Sequence, residues 1–199
     1  MVSIDETIKN LKTRGFDVSF FEKSEDAVSY LTSSLKGETI GFGGSMTLEA
    51  LNLFKLLSEN NSVFSHWSQE PVDARKRSAD AEVYITSANA VAQTGEIINI
   101  DGTGNRVAST LFGKKKVYII IGVNKIAEDY DKALWRARNI ASPLNARRLN
   151  KNTPCVKGEL KCYDCKSPER ICRALVVLWN KMSGMEKLEV VIINEELGY

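Results

Sequence analysis

Histidine occurs once in the 199 residues, at His66, and no cysteine precedes residue 155. With one histidine, no Ser/His/Asp or Cys/His pairing can be argued from position, so nucleophilic triads are not legible here. No apolar run approaches the roughly 20 residues that a bilayer span requires. The opening stretch, MVSIDETIKNLKTRGF, has neither an apolar core nor a small-residue cleavage site and does not read as a signal peptide. The expectation is a cytoplasmic protein with no membrane partner. In that compartment thiols stay reduced, and clustered cysteines serve metals or redox chemistry rather than disulfides. Charge of one sign is not in surplus either: the formal net charge is +2, which gives no global argument for a nucleic-acid partner. Walker A sequences, internal repeats and low-complexity linkers are missing as well.

What is present has the composition of an ordinary folded domain, 43% apolar and 26% charged. A chain of this length buries a sizeable core, so residues 1–199 are read as one domain. Short apolar runs rich in β-branched residues alternate with helical patterns, the signature of an α/β fold. Strands are expected at 18–21, 39–43, 63–66, 83–87, 97–100 and 117–122, the last being the most apolar. Helices are expected at 3–14, from an N-cap at Ser24 to about residue 35, and at 47–58, 71–79, 106–112 and 129–140. Segments 174–179 and 188–193 are read as an antiparallel edge hairpin joined by 182–187. Positive charge gathers between Lys132 and Arg173, where eleven Lys/Arg face only Glu159, Asp164 and Glu169.

All four cysteines fall within eighteen residues, as Cys155-x6-Cys162-x2-Cys165-x6-Cys172, in an irregular loop at about 153–173. Four thiolates can complete a tetrahedral zinc shell or hold a [4Fe–4S] cubane, and the central pair gives a two-ligand bite from a tight turn. Pro154 and Pro168 stiffen the flanks. Either occupant leaves a net negative centre, which Lys157, Lys161, Lys166, Arg170 and Arg173 would offset. The loop is too polar to bury four unconnected cysteines as small hydrophobes. The spacing matches neither a zinc ribbon nor a bacterial ferredoxin run, so zinc and iron–sulfur both stay open.

Two polar, glycine-rich stretches lie where strands hand over to helices. In Gly43-Gly44-Ser45-Met46-Thr47 the glycines admit a ligand close to the backbone, Ser45 and Thr47 supply hydroxyls, and a helix N-terminus favours an anion. Such junctions line the crevice at the C-terminal ends of strands in open α/β sheets. The second stretch holds Asn89, Thr94, Gly102, Thr103, Gly104, Asn105 and Arg106. Gly102-x-Gly104 is not a full dinucleotide fingerprint, because Val107 occupies the third glycine position. Glu96 and Asp101 are candidate acid–base carboxylates, and Arg106 and Lys125 candidate anion clamps. His66 is read as a polar strand-end residue.

At these loops the chain resembles the LUD-domain family, the group that includes lactate-utilisation protein C. The likeness rests on Gly43-Gly44-Ser45-Met46-Thr47-Leu48-Glu49, Thr86-Ser87-Ala88-Asn89-Ala90, Thr94-Gly95-Glu96 and the run from Asn99 through Asp101-Gly102-Thr103-Gly104-Asn105-Arg106. It continues in Gly122-Val123-Asn124-Lys125, Ala141-Ser142-Pro143-Leu144-Asn145-Ala146, the segment from Cys162 to Cys172 and the ending Glu195-Glu196-Leu197-Gly198-Tyr199. The resemblance implies a three-layer fold with helices on both faces of the sheet, like that of ribose-5-phosphate isomerase, glucosamine-6-phosphate deaminase and the CoA transferases. Those relatives bind phosphorylated sugars or acyl-CoA at comparable glycine loops. It further implies a part in oxidising lactate to pyruvate beside iron–sulfur partner proteins, and the four cysteines match a cysteine-bearing branch.

The leading expectation is therefore a lactate-utilisation-type protein that binds a small anionic metabolite at the glycine loops and a metal at the cysteines. A second is an isomerase, deaminase or acyl-CoA transferase using Glu96 or Asp101. A third is a non-catalytic, metal-stabilised module whose basic 132–173 stretch docks an acidic partner. Nucleic acid is disfavoured, since no aromatic stacking platform accompanies the charges. A homo-oligomer remains open.

Overall fold

Two segments, Lys116–Gly122 (KVYIIIG) and Lys187–Ile193 (KLEVVII), are buried over almost their whole length. A strand with no solvent face must lie inside a sheet covered on both sides. In the computed structural model, which describes residues 2–199, these two strands are paired in parallel in the interior of the main sheet.

In chain order the strands among the described residues are β1 (Asp17–Phe21), β2 (Thr39–Phe42), β3 (Ser62–Ser65), β4 (Val83–Thr86), β5 (Ala90–Ala92), β6 (Ile97–Asp101), β7 (Lys116–Gly122), β8 (Ile126–Ala127), β9 (Ala174–Leu178) and β10 (Lys187–Ile193). Six of them form a wholly parallel sheet in the order β1-β10-β7-β4-β2-β3. The other four form a smaller mixed sheet, β8-β5-β6-β9.

Alternation along the parallel strands sends Ile40, Val83, Ile85, Ile120 and Val191 to one face, where they meet Leu31, Leu48, Leu53 and Leu57 from the helices Ser24–Ser34, Met46–Ala50 and Leu53–Ser58. The opposite face carries Val117, Ile119, Ile121, Val190 and Ile192. It packs on Leu11 of the helix Ile4–Thr13 and on Val91, Ile97 and Leu178 of the smaller sheet. That sheet in turn buries Ala90, Ala92 and Ile98 against Ala133 and Ala137. The expected α/β layering holds, with the small sheet sharing one outer layer with helices.

Four local expectations change. The proposed terminal hairpin does not form: β9 pairs antiparallel with β6, and β10 inserts between β1 and β7. Apolarity on both faces of β10 selects a covered parallel site over an edge, overriding nearness in sequence. The helix expected at 47–58 breaks at Asn52, which adopts a left-handed φ of 50°. Leu51 and Leu53 are both buried, and residues two apart cannot share one face of a continuous helix. Ser24 is not an N-cap; its N–H and hydroxyl instead donate to the Glu195 carboxylate. Beyond Arg136 the helical path does not stop near 140 but passes through a π-helical turn, Ala137–Ala141, into Ser142–Arg148. The wider turn accommodates Pro143, which has no N–H to give.

Candidate functional site

Parallel strands deliver their C-terminal ends to one edge of a sheet, and here those ends converge on a cavity of about 730 Å³. Gly44 and Ser45 follow β2, His66 and Trp67 follow β3, Ser87 and Asn89 follow β4, Lys125 follows β7 and Tyr199 follows β10. Asp101, Gly102, Thr103, Asn105 and Arg106 close one side, and Pro168, Glu169, Arg170, Ile171 and Arg173 of the cysteine loop form the facing wall. Gly102 is where the two walls meet, since a Cβ there would lie 2.7 Å from the Ile171 carbonyl oxygen.

Lys125 forms the floor, 2% exposed, with Nζ 2.8 Å from Thr47 Oγ1, 2.9 Å from Ser87 Oγ and 3.3 Å from the Ala88 carbonyl. Burial, then the Arg136 and Arg106 guanidiniums, lower its pKa to about 7. Both arginines organise the surrounding loops. Arg136 donates to the Asn124 and Asn89 carbonyls at 2.9 and 2.5 Å. Arg106 donates to the Ser87 and Ile100 carbonyls and to Asn99 and Asn89 Oδ1. With its donors engaged by the protein, Arg106 is a loop organiser more than a free clamp. Thr47 lies beneath the cavity and holds Lys125, while buried Gly43 leaves no room for a Cβ, which would strike Thr86 and Tyr84.

Asp101 stands in the cavity wall, but its carboxylate accepts from the backbone amides of Thr103, Gly104, Arg106 and Val107, each at 3.1 Å. It thereby caps the helix Asn105–Leu111, which Gly104 enters with φ 91°. Burial pushes its carboxyl up, but Arg106 and the amides of Gly104, Val107 and Thr103 outweigh that and hold it below the ordinary range. A base near neutral pH needs the opposite shift. Asp101→Asn is expected to lower folding stability by about 2–3 kcal/mol through lost charge-assisted capping. Urea denaturation checks this; unchanged stability would free the carboxylate for a chemical role.

Glu96 and Thr94 are not brought to the cavity. They lie in the β5–β6 turn, where Glu96 pairs with Arg14 and accepts the Thr94 hydroxyl, and Arg14 Nε donates to the Thr94 carbonyl at 2.8 Å. The strands run antiparallel there, so the turn sits at the end of the small sheet remote from Asp101.

Several cavity residues carried no readable motif. Arg75 lines it with a buried Nε that has no hydrogen-bond partner. Burial and Arg75 together outweigh Asp101 and lower the His66 pKa, leaving a neutral imidazole near pH 7. Trp67 covers Gly44 and supports the Arg148 guanidinium 4.6 Å from its ring centre, while Arg148 Nε donates to Tyr199 Oη at 2.9 Å. Seven Lys/Arg side chains thus line the cavity against two carboxylates, Asp101 and Glu169, an imbalance that an anionic ligand would relieve.

The four half-buried cysteines sit behind this wall. Cys162 Sγ accepts from the Asp164 amide at 3.4 Å and from Arg138 Nη2 at 3.7 Å; Cys155 Sγ lies 3.2 Å from Thr153 Oγ1. Burial raises the Cys172 pKa despite a hydrogen bond from Ser142, and nearby Cys162 and Cys155 push the same way. Arg170 ties the loop together by donating to the Cys172 and Cys165 carbonyls at 2.7 and 2.6 Å. Among the described residues, no three His, Cys, Asp or Glu side chains are gathered as a group that could hold a metal ion. No helix among those residues is long and apolar enough to cross a membrane.

Comparison with known proteins places this architecture. The chain is similar in fold to a DUF162-family protein from Deinococcus radiodurans, with 14% identity and a TM-score of 0.54 over 97% of this chain and 99% of that one. No curated protein matches. The family model of the LUD domain matches residues 4–193. The chain belongs to the LUD-domain family.

Proposed function

We propose that this protein binds a small anionic metabolite, a 2-hydroxy acid or its oxidation product, in the basic cavity, and carries a metal centre on Cys155, Cys162, Cys165 and Cys172. Membership of the LUD-domain family supports a lactate-utilisation-type role in general terms. The observation that carries the ligand reading is unmatched positive charge. Arg75, Arg148, Lys151, Arg170 and Arg173 line the cavity against two carboxylates, and the buried Nε of Arg75 lacks any partner. Leaving such groups unpaired costs several kcal/mol, which a bound carboxylate or phosphate offsets.

For the metal, support comes from the donor set. Four thiols in one loop, amide and guanidinium donors aimed at Cys162, and hydroxyls beside Cys155 and Cys172 suit a thiolate-held [4Fe–4S] cluster or Zn²⁺. Holding either requires the loop to draw its sulfurs together. Titration calorimetry with lactate, pyruvate and inorganic phosphate tests the cavity. At least one is expected to bind, with affinity falling about tenfold or more in Arg75→Met and weakening with salt. No binding by any of them would remove the metabolite reading.

A further inference from the structure

Two lysines are buried among the described residues, and their surroundings differ. Lys114, 4% exposed, points Nζ at the carbonyls of Ser78, Ala79 and Ala81, which end the helix Pro71–Asp80. Three acceptors demand three donors, so that site suits an ammonium. Lys125 has one carbonyl and two hydroxyls. The Thr47 hydroxyl donates to the Leu197 carbonyl at 3.1 Å, so toward Lys125 its oxygen accepts. The Ser87 hydroxyl has only long contacts elsewhere, 3.4 Å to Thr47 and to Ala88, and is free to donate. What sets Lys125 apart is that its Nζ, beside the Thr47 and Ser87 hydroxyls, also lines the basic cavity, where a ligand can reach it.

We infer that Lys125 is a nucleophilic amine, which captures an anionic carbonyl compound as an imine at the floor of the basic cavity. The inference rests on the metabolite reading above, and names the chemical class that the cavity takes. Arg75 and Arg148 line the same space and can hold the carboxylate or phosphate while the carbonyl faces Nζ. In the first step the Nζ lone pair forms a bond to the carbonyl carbon, the C=O π pair moves to oxygen, and that oxygen takes a proton. Ser87 lies 2.9 Å from Nζ and is placed to relay the proton that the amine gives up. The carbinolamine then expels its hydroxyl as water, so one amine and one carbonyl yield one imine and one water, with no change in oxidation state. Burial beside Arg136 and Arg106 keeps a large fraction of Lys125 unprotonated at neutral pH, where an exposed lysine is nearly all ammonium.

The protein would be incubated with pyruvate, as a 2-oxo carboxylate, or with glyceraldehyde 3-phosphate, as a phosphorylated aldehyde, in cyanoborohydride, and the adduct mapped by mass spectrometry. One dominant adduct on Lys125 is expected, with Lys114 unmodified. The yield should fall at least tenfold in Lys125→Arg, and also in the wild type when a non-carbonyl anion that binds by calorimetry is present in excess. Its rate should level off above about pH 7 instead of climbing toward pH 10. Which probe reacts distinguishes the carboxylate from the phosphate source. Adducts scattered over exposed lysines, or an unchanged yield in Lys125→Arg, would overturn the inference. Anion binding without trapping ends it while leaving the metabolite reading intact; absence of both ends the two together.

Discussion

Lys125→Met is expected to flatten a rise in folding stability that Lys125 should give the natural protein between about pH 7 and pH 9.5. Lys125 has a pKa of about 7 when folded, against roughly 10.4 in an unfolded chain. Between those values the unfolded chain holds a proton that the folded one has released. Stability therefore climbs as pH rises, and is lost as pH falls back toward 7, by at most about 1.4 kcal/mol per pH unit. Over this window the difference reaches about 2–3 kcal/mol. Methionine fills the same stem volume, and Thr47 and Ser87, 3.4 Å apart, remain near each other, so the variant should fold. Urea midpoints of both proteins measured across the window isolate Lys125, because every other titrating group is common to the two. Parallel curves would mean that Lys125 keeps its proton when folded. Saturating phosphate should flatten the natural protein's curve as well, by favouring the ammonium.

The sequence discloses the frame more readily than the site. Fully apolar β7 and β10 and the glycine loops after β2 and β6 are visible in it, because burial and backbone freedom leave direct marks on residue type. The place of β10 is not, since strand order depends on which covered position is vacant, and β9 is nearer along the chain. Gly44, Ser45, Asp101, Gly102, Thr103, Asn105, Arg106 and Lys125 do line one cavity, yet their division of labour follows from contacts at long sequence separation. Asp101 has the residue type of a base, but four amides make it a cap. Glu96 has the residue type of an acid–base group beside a glycine turn, but the antiparallel turn carries it to Arg14. Arg75 and Arg148 sit on charged helices where nothing distinguishes them from solvated residues; only the fold turns them to the cavity.

If Cys155, Cys162, Cys165 and Cys172 carry the metal proposed above, its loss is expected to cost ligand affinity as well as stability, because one loop would serve both. Pro168, Glu169, Arg170 and Ile171 wall the cavity between Cys165 and Cys172, with Arg173 just beyond, and Arg170 bonds the carbonyls of those same two cysteines. A bound metal would draw the sulfurs together and fix the wall; without it the wall is held by Arg173 N to the Asp101 carbonyl at 2.9 Å and by contact at Gly102. Chelation, or Cys162→Ser, should lower the melting temperature by several degrees and weaken anion binding about tenfold, a coupling of about 1.4 kcal/mol. Coupling is reciprocal, so a saturating anion must tighten metal binding by the same factor, measurable by competition with a chelator at equilibrium. Gly102→Ala separates the two roles. Its Cβ would press on the Ile171 carbonyl at 2.7 Å, moving the wall with every cysteine in place. That variant should keep its metal yet lose much of its anion affinity. Full affinity in either the apo protein or Gly102→Ala would show that the cavity closes without the cysteine loop, and that the metal serves a purpose apart from the metabolite.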